Sequence, residues 1–165
     1  MNNLIGFSTG AIYKFNNSIN EQINILKQLD IDGIEIAYGY IKELDQELTK
    51  ENIEYLKTLK YVSIHSPSFH NERDDFYYKN NTITKKVIKK LKQIKEKINA
   101  NTIVFHPNLI KDFSILNELH NVCLENMPKK RNIDFKNMSN ILEETKLKFV
   151  LDTAHALSWD EETLK

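Results

Sequence analysis

Four short apolar runs of this sequence each end in a residue able to hold a metal ion. Val62-Ser63-Ile64 leads into His65, and Ile103-Val104-Phe105 into His106. Val122-Cys123-Leu124 leads into Glu125, and Phe149-Val150-Leu151 into Asp152. Period-two alternation along a strand places Ser63 with His65, Val104 with His106, Cys123 with Glu125 and Val150 with Asp152. Phe105, Leu124 and Leu151 then face the other way. Two imidazoles and two carboxylates at one level suit zinc, manganese or iron(II) better than calcium. Taken singly, a histidine at a strand end is more often hydrogen-bonded surface, and an acidic residue there more often caps the next helix. Four such residues on successive runs are hard to attribute to capping alone.

Other residues gather near this set. Glu35 sits inside Ile34-Glu35-Ile36, facing opposite to both isoleucines and so toward an interior, where a carboxylate needs a partner. That partner is a ligating histidine, a substrate or a structural lysine. His155 follows Asp152 by three residues, which returns it to the same rim. It is read as a ligand of a second ion, as a proton carrier, or as a histidine bonded to backbone at a helix start. His70 and His120 are assigned to structure or solvent, and Cys123 to the core one layer below Glu125. Pro67, Pro107 and Pro128 stiffen the chain just beyond three of the runs.

Strands and helices must position these groups. The apolar runs Leu4–Phe7, Ile34–Ala37, Val62–Ile64, Ile103–Phe105, Val122–Leu124 and Phe149–Leu151 are short and rich in Ile, Val and Phe, as buried strands are. Helical patterns separate them. Asn17 or Ser18 caps the first, with Ile19, Ile23, Leu26 and Leu29 on one face. Thr49 opens a second, carrying Ile53, Leu56 and Leu59. Ile83, Val87, Leu91, Ile94 and Ile98 form the stripe of a third. A short helix follows Asp112, another spans about Asp134 to Glu144, and a last one begins near Ser158. Strand–helix alternation implies right-handed crossovers and a parallel sheet. In a parallel barrel the C-terminal strand ends share one rim, where active sites sit.

The composition is that of an ordinary globular protein, with 41% apolar and 28% charged residues in 165, and is read as one domain over 1–165. The formal charge is zero and only Arg73 and Arg131 are arginines, which argues against a general grip on nucleic acid. The lysines of Lys85–Lys97 read as a solvated helix face. One cysteine excludes an internal disulfide and fits a reducing cytoplasm. No run approaches 18 apolar residues, so no membrane span is expected, and Met1–Gly10 lacks the pattern of a secretory leader.

The set Ile5-Gly6-Phe7-Ser8-Thr9-Gly10, Gly33-Ile34-Glu35, His65-Ser66-Pro67, His106-Pro107, Leu124-Glu125-Asn126 and Leu151-Asp152-Thr153-Ala154-His155 resembles the xylose-isomerase-like TIM-barrel superfamily. That group includes sugar (phosphate) isomerases and epimerases and the endonuclease IV type of apurinic endonuclease. The resemblance runs from about residue 4 to 158. It implies a TIM (β/α)8-type barrel of which about six of eight strand–helix units are present. It implies that Glu125 and Asp152 bind metal in both branches, that His65 and His106 also do in the nuclease branch, and that His155 holds a further zinc or contacts substrate. The seventh-strand His and eighth-strand Glu of the superfamily have no counterpart here, because a full barrel takes about 250 residues.

Three readings follow. The first is a divalent-metal isomerase or epimerase of a sugar or sugar phosphate, using zinc or manganese, with Glu125, His155 and Glu35 as catalytic groups. The second is a metal-dependent apurinic endonuclease. The third is a non-catalytic barrel fragment. Self-association through open sheet edges is expected, with apolar surface around Phe7 and Val150 bordering the gap.

Overall fold

The computed structural model describes residues 3–15, 18–72, 74–131 and 133–159. Asn17, the alternative cap of the first helix, and Arg73 lie outside these residues. The strands in chain order are β1 (Gly6–Ser8), β2 (Gly33–Ala37), β3 (Tyr61–His65), β4 (Phe69–Asn71), β5 (Asp74–Asp75), β6 (Thr102–Phe105), β7 (Val122–Glu125) and β8 (Lys148–Val150). Six of them form one parallel sheet, hydrogen-bonded in the order β1-β2-β3-β6-β7-β8. Sequential neighbours pairing in parallel is the layout of a barrel wall. The other two, β4 and β5, make an antiparallel hairpin in the loop after β3. Its sequence, rich in polar and charged residues, carries no alternation that would announce it.

Helices α1 (Ile19–Leu26), α2 (Lys50–Thr58), α3 (Thr82–Ile98) and α4 (Phe135–Thr145) return the chain to the start of a following strand. Their ends are chemically marked. Ser18 is the N-cap of α1. Thr49, Asn81 and Asp134 cap α2, α3 and α4 by accepting from the backbone N–H of Asn52, Thr84 and Asn137. Asn99 and Lys146 close α3 and α4 in the left-handed conformation. One expected helix differs. The one after Asp112 is a 3-10 helix, Phe113–Glu118, so β6 and β7 are joined without an α-helix. The last described helix is a single turn, α5 (Thr153–Ala156), and the helix expected to begin near Ser158 falls mostly on 160–165, outside the described residues. Asp152 caps α5, so this turn starts at the very end of the strand.

Register explains which side chains meet. Ser8, Glu35 and Ser63 lie side by side, as do His65, Val104, Cys123 and Lys148. These point to the concave side. Ile34, Ile36, Val62, Ile64, Ile103, Phe105, Val122 and Leu124 point to the helices and are all buried with Ile23, Leu26, Leu56, Ile88 and Leu91 in one core. At the bottom of β1 and β2 the backbones come too close for side chains. A Cβ on Gly6 would stand 2.8 Å from the Gly33 carbonyl oxygen, and one on Gly33 2.6 Å from that of Tyr61.

The sheet's two edges depart from expectation. β1 starts at Gly6, leaving Leu4 and Ile5 exposed before it. Phe7 is in register with Ile34 and so faces the helix side, not the concave side, and it is 45% exposed. Phe149 and Leu151 continue the helix-facing row on β8, yet Leu151 is 56% exposed. Phe7, Phe149 and Leu151 are thus left partly open at the two ends of the sheet's outer face. Val150 does lie on the concave side beside Glu125 and is half-buried.

Candidate metal centre

β3, β6 and β7 end at one rim and bring His65, His106 and Glu125 together. His65 Nε2 lies 3.0 Å from Glu125 Oε2, and His106 Nε2 lies 3.2 Å from the same oxygen. The two Nε2 atoms are 3.0 Å apart. The rings cross edge to face, with centroids 4.6 Å apart. Glu125 is buried, and the imidazoles are nearly so.

The far nitrogen of each ring is also held. His65 Nδ1 is 3.1 Å from the Ser66 carbonyl oxygen, which can only accept, so Nδ1 carries a proton and donates. His106 Nδ1 is 3.1 Å from Ser68 Oγ, on a buried residue. The loop carrying these serines is itself fixed. Tyr78, fully buried, donates its hydroxyl to the Pro67 carbonyl at 2.8 Å. The Tyr78 N–H donates to Leu109 O, and Lys111 N–H to Tyr78 O, which ties the loop after β3 to the loop after β6.

This wiring has an electrostatic consequence. With Nδ1 of His65 protonated, its neutral form points a bare Nε2 lone pair at another ring nitrogen and at a carboxylate. A positive charge or a proton donor is favoured at that convergence. Burial pulls the His65 pKa down, but the hydrogen bond to Glu125 and the charges of Glu35 and Glu125 outweigh it, so the ring is held above its ordinary 6.5. Burial dominates at His106 and lowers its pKa, with His65 and His155 adding to that and Glu125 opposing it. Burial would raise Glu125, but hydrogen bonds from His106 and His65 win and hold it well below the usual carboxylate range. A divalent ion fits the same place. Ligand atoms around a tetrahedral ion at 2.0–2.1 Å are roughly 3.3 Å apart, close to the 3.0–3.2 Å seen here. Two His and one Glu with the rest of the shell open is a catalytic zinc ligand set.

A second group shares Glu125. Ligand atoms of Glu125, Asp152 and His155 lie within 4.8 Å of one another, as do those of the first group. Glu125 Oε1 is 3.5 Å and Asp152 Oδ2 3.7 Å from His155 Nδ1. Both newcomers are also engaged as the bland readings require. Asp152 Oδ1 caps α5 by accepting from His155 N–H at 2.8 Å, and His155 Nδ1 donates to the Asn126 carbonyl at 2.9 Å. The His155 nitrogen nearest the two carboxylates is thus also the one held by the Asn126 carbonyl, while Asp152 Oδ2 is not used by the cap.

The remaining sequence candidates fall apart from this centre. Glu35 lies on the concave side, half-buried, and makes no hydrogen bond or ion pair among the described residues. It reaches His65 through its charge alone. His70 is exposed on the hairpin and His120 is exposed before β7. Cys123 is buried below Glu125, its Sγ 3.2 Å from Thr102 Oγ1. Two residues carry roles that the sequence alone does not assign. Ser68 orients His106, and Asn126 clamps β8. The Asn126 amide donates to Asp152 O at 2.8 Å and accepts from Asp152 N–H at 2.6 Å. The Glu125-Asn126 pair is visible as a motif, but its clamp spans 26 residues and needs the parallel pairing to be seen.

No family model and no curated protein matches the sequence. Solved structures do match in fold. A D-tagatose 3-epimerase-like protein aligns with TM-score 0.62 at 20% identity, over 93% of this chain and 66% of its own. Endonuclease IV from Thermus thermophilus aligns with TM-score 0.62 at 13% identity, over 94% and 65%. A D-psicose 3-epimerase, solved in the presence of D-fructose, aligns with TM-score 0.61 at 11% identity, over 96% and 66%. The chain thus spans just under two thirds of the length of these structures and shares their TIM-barrel fold, with six parallel strands among the described residues.

Proposed function

We propose that the rim is a divalent-metal centre for hydrolysis of a sugar phosphoester, the chemistry of the apurinic-endonuclease reading. The observation that carries this is the convergence of His65 Nε2, His106 Nε2 and Glu125 Oε2 within 3.0–3.2 Å. An ion there supplies a Lewis acid and activates water near neutral pH. His65, His106 and Glu125 would hold it, and Glu125, Asp152 and His155 could hold a second. Ser66 and Ser68 keep both rings aimed. Glu35 adds negative charge below them.

The isomerase or epimerase reading is the second. The neutral overall charge and the two arginines favour a small sugar or sugar phosphate over DNA. It leaves His65 and His106 without a task, since an enediolate held by Glu125 and Asp152 needs neither imidazole. Zinc or manganese serves either reading.

The experiment is a paired assay on the zinc- and manganese-loaded chain: cleavage of duplex DNA with one abasic site, and epimerisation of ketoses and their phosphates. Cleavage abolished by His65→Ala supports hydrolysis. Epimerisation that survives His65→Ala overturns it in favour of the second reading. Neither activity in the loaded chain supports the non-catalytic reading. We place the protein in a reducing compartment, consistent with a lone buried thiol; no helix of the described residues is long and apolar enough to cross a membrane. Self-association through the apolar edge residues Phe7, Phe149 and Leu151 belongs to the same proposal, and light scattering across a concentration series tests it.

A further inference from the structure

Away from the rim centre, a groove of about 560 Å3 lies between the 3-10 turn Ile41–Asp45, the hairpin and one face of α3. Its volume falls in the range of small-molecule sites. Ile83, Lys86, Val87 and Lys90 face it from α3 at helical spacing. Its floor is apolar, with Ile41, Leu44, Ile83 and Val87, and Ile83 is a large apolar side chain left 49% exposed. Its margin is cationic: Lys42, Lys86, Lys89 and Lys90 against one carboxylate, Asp45, with the His70 ring beside them. Asp45 is taken up by Lys90. Lys86 and Lys89 pair with no carboxylate among the described residues. The lysines that read in sequence as a solvated face therefore border a concave, apolar-floored site.

The combination specifies a ligand. Unpaired ammonium groups call for an anion, and phosphate is met by lysine as a point charge. The apolar floor calls for a flat or apolar body attached to that anion. His70 supplies a ring wall, because it is already stacked on Phe76 with planes 22° apart, leaving an open face on an exposed residue. We propose that this groove binds a mononucleotide-class ligand, its ring on Ile41 and Ile83 beside His70 and its phosphate between Lys86 and Lys89. The inference is independent of the metal reading, because none of the rim ligands lines the groove.

The test is calorimetric titration of the full chain with adenosine 5′-monophosphate in the presence of EDTA, which removes any contribution from a rim ion. Binding is expected, at least tenfold tighter than that of either adenosine or inorganic phosphate alone, and weakening as salt rises. Lys86→Glu/Lys89→Glu should weaken it at least tenfold, while circular dichroism verifies the fold of these surface variants. His65→Ala should leave it unchanged. Absence of binding at millimolar nucleotide overturns the proposal, as does equal affinity in the double variant. A third arm uses a short DNA duplex. If the double variant loses duplex binding while nucleotide binding never appears, the lysines serve a polymer backbone and the small-ligand site is refuted.

Discussion

Replacing Glu125 by Gln removes one charge and almost no volume, so it isolates what that carboxylate does. Glu125 is the residue shared by both candidate ligand groups. Loss of an outer partner that merely aims a ligand costs about 10–100-fold in metal affinity. Loss of a charged ligand itself must exceed the upper end of that range, more than about 2.7 kcal/mol. Because the residue is shared, both ion sites should fall together, whereas His65→Ala should weaken the first and spare the second. Zinc titration by calorimetry, with a competing chelator to reach tight affinities, reads both the affinity and the number of ions. The wild type is expected to take two ions with unequal affinity, and Glu125→Gln none in the tight range. His70→Ala, on the hairpin, is the control and should match wild type. Equal losses in Glu125→Gln and His70→Ala would refute the ligand assignment. Two tight ions retained in Glu125→Gln would refute the bridging role.

Other outcomes follow from the same geometry. Metal-free stability should depend on pH on both sides. His65 is raised above 6.5, so its contribution is whole below 6.5 and fades as pH climbs through the folded value; Glu125 is lowered below 4.5, so its contribution is whole above 4.5 and fades on acidification. His106 is lowered, so it takes stability away as pH falls below 6.5; thermal melts in EDTA should therefore peak near pH 6.5, and zinc should lift the alkaline side most, since it replaces the proton that His65 loses. A melt that rises steadily from about pH 6 to about pH 9 without metal would contradict this. Ser68→Ala should lower zinc affinity about 10–100-fold with little change in melting, because it frees only the His106 Nδ1 contact; an unchanged affinity would show that the serine does not orient the ring. Gly33→Ala should destabilise the fold by roughly 1–3 kcal/mol in urea unfolding, the cost of overpacking, since its Cβ meets backbone; a neutral result would mean the strands separate easily there.

The parts of this molecule legible in sequence are those fixed by short-range patterning. All six wall strands are visible as apolar runs, and Ser18, Thr49 and Asp134 mark helix starts by residue type alone. The convergence of His65, His106 and Glu125 is legible because strand parity and parallel order together determine where a strand's last residue points. The parts that are not legible depend on neighbours far along the chain. Parity alone places Leu151 toward the helices, but burial needs a helix to lie there, and α5 begins two residues later instead. Without a register Phe7 reads as a concave-side residue; pairing with Ile34 reverses it. Ser68 and Asn126 escape because a hydrogen bond spanning 38 or 26 residues leaves no periodic trace.

The Asn126 clamp has a bearing on how the molecule comes undone. β8 is an edge strand of three residues with half of its outer face bare, and such edges open at low free energy. One side-chain amide, reaching the backbone of Asp152 in both directions, closes the end of that strand against β7. An ion shared by Glu125 and Asp152 would bolt the same two strands at the same height. The edge then works as a latch whose tightness reports metal supply, while the opposite edge at β1 stays indifferent to it. Amide hydrogen exchange would register this as slowed exchange confined to residues 148–157 on adding zinc, absent in Asn126→Ala without metal and partly restored with it. Uniform slowing across all six strands would show instead that the sheet opens as one unit.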